Sequence, residues 1–173
     1  MINTVLFDMD GLLLDTEPLW GESMLRVAHK HKIPITRQQF KETTGLRIFE
    51  VTDHWAIHYP WQGSSAKEVA DEILDDIIAS SKKSATILRG VEKALILLRK
   101  HHFKIGLASS SPGHMIDELV EHFDLKKYFD VITSADAVEM GKPHPAVFLH
   151  CAALLGSKPN ECLVLEDSVN GMI

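Results

Sequence analysis

Thr4-Val5-Leu6-Phe7-Asp8-Met9-Asp10-Gly11 is the stretch that decides the fold. Val5, Leu6 and Phe7 form an unbroken apolar run that ends on an acid. Continuous apolar residues, rather than alternating ones, suit a strand covered on both faces, as in a parallel sheet. Three later stretches read the same way: KIGLAS at 104–109, DVITS at 130–134 and CLVLE at 162–166. Helical patterns separate them. Val91, Ala94, Leu95 and Leu98 repeat at helical spacing after Gly90. Met115, Ile116, Leu119, Val120 and Phe123 line a second face, with Pro112 suited to its first turn. Val147, Phe148, Cys151, Ala152 and Leu155 mark a third, stopped by Gly156. Strand and helix in alternation predict an α/β fold, a doubly wound parallel sheet of Rossmann-like type.

Residues 15–83 break that alternation, because they carry helical patterns and no convincing strand. In 65–81, Ala66, Val69, Ala70, Ile73, Leu74, Ile77 and Ile78 keep helical spacing, and Ser65 with Glu68 has the spacing of a capping box. The acidic residues on the opposite face, Glu68, Asp71, Glu72, Asp75 and Asp76, read as solvated. An inserted helical cap at 15–83 is therefore expected, with 1–14 and 84–173 forming the α/β core. Short linkers near 15–16 and 84–86 would join the two and could hinge.

The chain has 173 residues and a formal charge of −6, from 18 basic and 24 acidic side chains. It has no basic run and no aromatic residues interleaved with Arg or Lys, which argues against a nucleic-acid partner. No apolar stretch reaches the roughly 18 residues of a membrane span. The two cysteines, Cys151 and Cys162, suit neither a disulfide framework nor a zinc site, and both read as packing residues. A monomer in a reducing cytoplasm is the expectation.

The chemistry lies where the strands end, since ligands of open parallel sheets sit beyond the strands' carboxyl ends. Asp8 and Asp10 follow the first strand, and Gly11 allows a sharp turn after them. By itself such a turn is as well explained by acids capping amides. Ser109, Ser110 and Ser111 follow the second strand at a helix start, where hydroxyls and free amides can hold phosphate oxygens or simply cap. Lys142 is held in Gly141-Lys142-Pro143 after the third strand. Glu166 and Asp167 follow the fourth. Converging on one sheet edge, Asp8, Asp10, Glu166 and Asp167 would repel: a like-charged pair at ~4 Å costs about 4 kcal/mol at an effective dielectric of ~20. One lysine cannot offset that, whereas a divalent cation can, and all-oxygen ligands favour Mg2+. Ser109 and Lys142 beside it point to a phosphoryl group.

These four motifs, in this order, resemble those of the haloacid dehalogenase-like hydrolases, and the likeness spans nearly the whole chain. The run from Asp10 to Glu17 resembles the subgroup containing β-phosphoglucomutase and small sugar phosphatases. Glu17-Pro18-Leu19-Trp20, Thr44-Gly45-Leu46-Arg47 and Glu166-Asp167-Ser168-Val169-Asn170-Gly171-Met172 narrow the likeness to sugar-phosphate phosphatases. The resemblance implies an aspartyl-phosphate mechanism on a small phosphorylated metabolite. Asp8 would be the nucleophile and Asp10 the general acid and base. Mg2+ would be held by Asp8, the Asp10 carbonyl and Asp167, with Glu166 in support. Ser109, the Ser110 amide and Lys142 would hold or neutralise phosphoryl oxygens, and Arg47 would touch the distal part of a sugar. It also implies a further helix and strand after Ile173, so the C-terminus reads as truncated. A phosphomutase using the same residues and a phosphate-binding protein without turnover are the alternatives. Trp55, Trp61 and the pair His54 and His58 read as packing or solvated residues rather than as ligands.

Overall fold

The computed structural model describes residues 1–41, 43 and 46–173. Its elements run β1 (Thr4–Phe7), α1 (Glu17–Lys30), α2 (Arg37–Lys41), α3 (Ile48–His58), α4 (Ala66–Ser84), α5 (Val91–Lys100), β2 (Lys104–Ser109), α6 (Gly113–His122), β3 (Val131–Ser134), α7 (Ala146–Leu154), β4 (Cys162–Leu165) and α8 (Val169–Met172). The four strands form one parallel sheet in the order β3-β2-β1-β4. From β1 the chain steps outward through β2 to β3, then crosses back to β4 on β1's other side. The crevice between the carboxyl ends of β1 and β4 is therefore the switch point where such sheets bind ligands. In register, Phe7 lies opposite both Leu107 and Leu165. The residues just after β1 and β4, Asp8 and Glu166, are thus brought side by side.

The continuous apolar pattern of β1 has the expected consequence. Side chains alternate across a strand. Val5 and Phe7 join Ile105, Leu107, Met115, Ile116, Leu119 and Val120 on one face, while Leu6 joins Ala108, Val147, Phe148, Cys151 and Leu155 on the other. β4 departs from this: at the sheet's edge, Leu163 is 49% exposed. Cys151 is buried and Cys162 half-buried, both as free thiols. Pro112 stands just before α6 rather than in its first turn, and the Ser111 N–H ahead of it donates to Ser109 Oγ (3.1 Å).

Between β1 and β2 the chain is helical throughout its described elements. α4 packs against α1 and α3 through Val69, Ala70, Ile73, Leu74, Ile77 and Ile78. Its capping box forms: Ser65 Oγ accepts from the Glu68 N–H (3.2 Å), and Glu68 Oε2 accepts from the Ser65 N–H (2.7 Å). The helix runs to Ser84, past the end of its apolar pattern, since Lys82 and Lys83 continue the hydrogen-bonded turns without needing burial. Its acidic face is not wholly solvated. Asp76 accepts from Arg26 (2.5 Å), and Glu72 pairs with Lys30 (2.6 Å) and His31 (2.8 Å), tying α4 to α1. The chain leaves for the helices and returns from them side by side. Leu14 bridges Ile87, and the Asp15 N–H donates to Thr86 O (3.0 Å). No described helix is long and apolar enough to cross a membrane.

Candidate active site

Asp8 directly follows β1, and its N–H donates to Leu165 O (3.1 Å), which fixes it against β4. Its side chain is buried. Lys142 Nζ, equally buried, donates to Asp8 Oδ1 (2.8 Å) and to Glu166 Oε2 (2.6 Å), and it lies 4.9 Å from the centre of the Phe148 ring. One ammonium thus bridges acids from the first and last strands. Burial raises Asp8 to about 7; the Lys142 ammonium opposes the shift, and Glu166 and Asp10 add to it. Burial works against the Lys142 ammonium, but Asp8 and Glu166 outweigh it and hold Lys142 above the ordinary lysine range. The other oxygen of Glu166 accepts from the Ser168 N–H (3.1 Å) and Oγ (2.6 Å), so both are engaged.

Asp167 is held above the ordinary carboxylate range, by burial first and then by Glu166. Among the described residues, Asp8, Glu166 and Asp167 each offer an oxygen within 4.8 Å of the others, close enough to share one ion. Three carboxylate oxygens at that spacing fit a hard divalent cation. Gly11 makes the approach possible. It has φ +73°, and a Cβ there would collide with Asp167 Oδ2.

The Asp10 carboxylate is held by a separate set of donors. Its Oδ1 accepts from Thr16 Oγ1 (2.6 Å) and Trp20 Nε1 (2.9 Å), and its Oδ2 accepts from Ser111 Oγ (2.7 Å). The start of α1 and the loop after β2 therefore hold one acid at the same cavity. That cavity, about 70 Å3, is lined by Asp8, Asp10, Ser109, Ser110, Lys142, Glu166 and Asp167 on the strand side, and by Glu17, Trp20, Met24, Leu46 and Ile48 on the helical side. Burial raises Glu17 to about 7, with Asp10, Asp167 and Glu166 adding to the shift.

Arg47 does not line the cavity; its guanidinium meets Glu50 and the backbone carbonyls of Val138 and Glu139. The neighbouring Thr44 and Gly45 lie outside the described residues. Trp55 is fully buried in the helical core, and Trp61 donates to Ser64 Oγ (3.1 Å). His54 and His58 stack on each other along α3, at 4.1 Å between ring centres. Glu17 and Trp20 line the cavity and Thr16 bonds Asp10 beside it, roles that the sequence alone did not assign to them. The available signal was the four-residue spacing of Thr16 and Trp20, which puts both on one side of a helix start.

The sequence pattern of the haloacid dehalogenase-like hydrolases matches residues 5–173. The chain belongs to that family. It is 43% identical over 173 residues to Hexitol phosphatase B of Escherichia coli (strain K12), covering 99% of this chain and 78% of the relative. It is 32% identical over 175 residues to a phosphorylated carbohydrates phosphatase of Thermotoga maritima, covering 99% and 79%. The crystal structure of a β-phosphoglucomutase from Clostridium difficile superposes with a TM-score of 0.88 at 28% identity, covering 99% of this chain and 78% of that one. With these relatives the chain is a phosphatase of the haloacid dehalogenase-like type.

Proposed function

We propose that the protein hydrolyses a small sugar or sugar-alcohol monophosphate through a phosphorylated Asp8, with Mg2+ as its cofactor and with residues 15–83 as a cap on the core formed by 1–14 and 84–173. The observation that carries this reading is the buried Asp8 carboxylate, held 2.8 Å from the Lys142 ammonium and within ion-sharing distance of Glu166 and Asp167. An Asp8 oxygen attacks phosphorus and the bond to the ester oxygen breaks, as Asp10 gives a proton to the departing alkoxide. Asp10 then takes a proton from water, whose oxygen attacks the aspartyl phosphate; phosphate leaves and the Asp8 carboxylate is restored. Ser109, the Ser110 amide and Lys142 orient the phosphoryl oxygens and offset their charge. Mg2+ held by Asp8, the Asp10 carbonyl and Asp167, with Glu166 beside them, would supply charge neutralisation at the transferred group.

The lining charges favour hydrolysis over mutase chemistry. Among the described residues, the cavity holds Asp8, Asp10, Glu17, Glu166 and Asp167 against a single basic side chain, Lys142. A phosphomutase has to bind a sugar bisphosphate, and a second phosphate finds no cation here. The distal wall of Trp20, Met24, Leu46 and Ile48, with the Glu17 carboxyl, suits a leaving group of hydroxyls and carbon without further negative charge. A protein that only binds phosphate has no use for a nucleophile between a lysine and an acid cluster. The test is a panel of phosphate esters with Mg2+ and no bisphosphate activator, run on the protein and on Asp8→Asn. Phosphate release by the first and none by a folded Asp8→Asn is expected. Turnover by Asp8→Asn, or turnover only with a sugar bisphosphate added, would overturn the reading.

A further inference from the structure

We propose that Arg47 and Glu50 form a latch that closes the helical segment on the loop carrying Lys142, and that Arg47 acts on catalysis by positioning, not by touching substrate. Arg47 immediately precedes α3. Its backbone N–H donates to Glu50 Oε2 (3.1 Å) and its Nε to Glu50 Oε1 (2.8 Å), and Nη2 also bonds Glu50. The fork so fixed reaches across to the core, where Nη1 donates to Val138 O (3.3 Å) and Nη2 to Glu139 O (3.2 Å). Two carbonyls from consecutive residues match the planar guanidinium, and a lysine ammonium cannot span both while keeping Glu50.

Gly141 completes the contact. A Cβ there would stand 3.1 Å from Arg47 Nε, 3.3 Å from Arg47 Cγ and 3.3 Å from Glu50 Oε2. Its backbone is not in the left-handed region, so any residue could adopt it. The missing side chain makes room for the arginine. The next residue is Lys142, which bridges Asp8 and Glu166. The residues either side of Arg47, Leu46 and Ile48, line the cavity. One side chain therefore fixes both the apolar wall over the cavity and the loop that delivers the ammonium below it. The small volume gives the latch work to do. At about 70 Å3, the cavity is well under the roughly 300 Å3 and upward of ordinary small-molecule sites, so substrate has to enter with the helical segment lifted.

This inference rests on the phosphatase reading, and its test separates the two. Arg47→Ala, Arg47→Lys and Gly141→Val are compared with the parent protein in two assays. The first is acrylamide quenching of Trp20 fluorescence in a Trp61→Phe background, where the third tryptophan, Trp55, is fully buried; it needs no turnover. All three variants should be quenched more strongly than the parent. The second is kcat/KM with a sugar phosphate and with p-nitrophenyl phosphate. All three variants should lose roughly 10- to 100-fold on both esters. Arg47→Ala combined with Gly141→Val should be no worse than the poorer single variant, because both remove the same contact. Unchanged quenching overturns the latch whether or not the protein turns over. So does a loss confined to the sugar phosphate, which would make Arg47 a substrate contact. So does a lowered melting temperature with kcat/KM intact, which would make its role structural only. An inactive parent with the expected quenching would count against the phosphatase reading alone.

Discussion

Replacing Lys142 by Met keeps most of the stem's volume and removes the charge. The Lys142 side chain is 2% exposed, and those of Asp8 and Glu166 are 7% and 3% exposed, so the two acids left behind cannot turn to water. Breaking a buried pair by removing one partner costs about 3–5 kcal/mol, because the remaining charge is uncompensated. For a chain of this length that corresponds to roughly 6–20 °C in melting temperature. The loss should depend on pH in a definite sense. Asp8 already sits at about 7 in the folded protein against an ordinary 3.8. A carboxyl raised on folding binds its proton more tightly in the native state. Its favourable contribution is full below the unfolded value and is lost as pH climbs through the folded one. In Lys142→Met the opposing ammonium is gone, so the folded value moves further above 7 and the loss with rising pH steepens. Urea melts of both proteins at pH 5 and pH 8, in a chelator, measure this. A much larger deficit for Lys142→Met at pH 8 than at pH 5 is expected, with partial recovery when Mg2+ replaces the chelator, since an ion bound only to the native state stabilises it. Equal deficits at the two pH values would refute the argument that Lys142 stands between buried negative charges.

Gly11→Ala should cost about 1–2 kcal/mol from its left-handed backbone, and it should weaken metal dependence more than that figure implies, because the new Cβ displaces Asp167. Calorimetric titration with Mg2+ reads the second effect, and unaltered affinity would show that Asp167 is not a ligand. Trp20→Phe removes one of three donors to the Asp10 carboxylate while keeping an aromatic wall, so kcat should fall roughly 3- to 30-fold with KM little changed. A rise in KM alone would assign Trp20 to substrate packing instead.

The strand half of the site is legible in the sequence for a topological reason. A parallel sheet brings the ends of its strands to one edge whatever the loops do, so Asp8, Ser109 and Glu166 can be placed together once the strands are found. Their register needs only the apolar runs. The helical half has no such rule. Trp20 and Glu17 reach the cavity only because the chain turns at Gly11 and starts α1 beside Asp10, a geometry set by a single left-handed residue and by bonds such as Thr16 to Asp10. Trp55 has a similar periodic setting to Trp20 and is wholly enclosed in the helical core, so periodicity alone cannot tell a tryptophan that lines a site from one that fills a core. Arg47 shows the same limit from the other side. A lone cation beside a phosphate-handling site invites the reading that it binds substrate. The positioning role proposed for it rests instead on a pair of backbone carbonyls about ninety residues further along the chain and a glycine that leaves room for the fork. Backbone carbonyls carry no residue identity. A contact made to them leaves a mark only where a side chain is missing, and here that mark is Gly141.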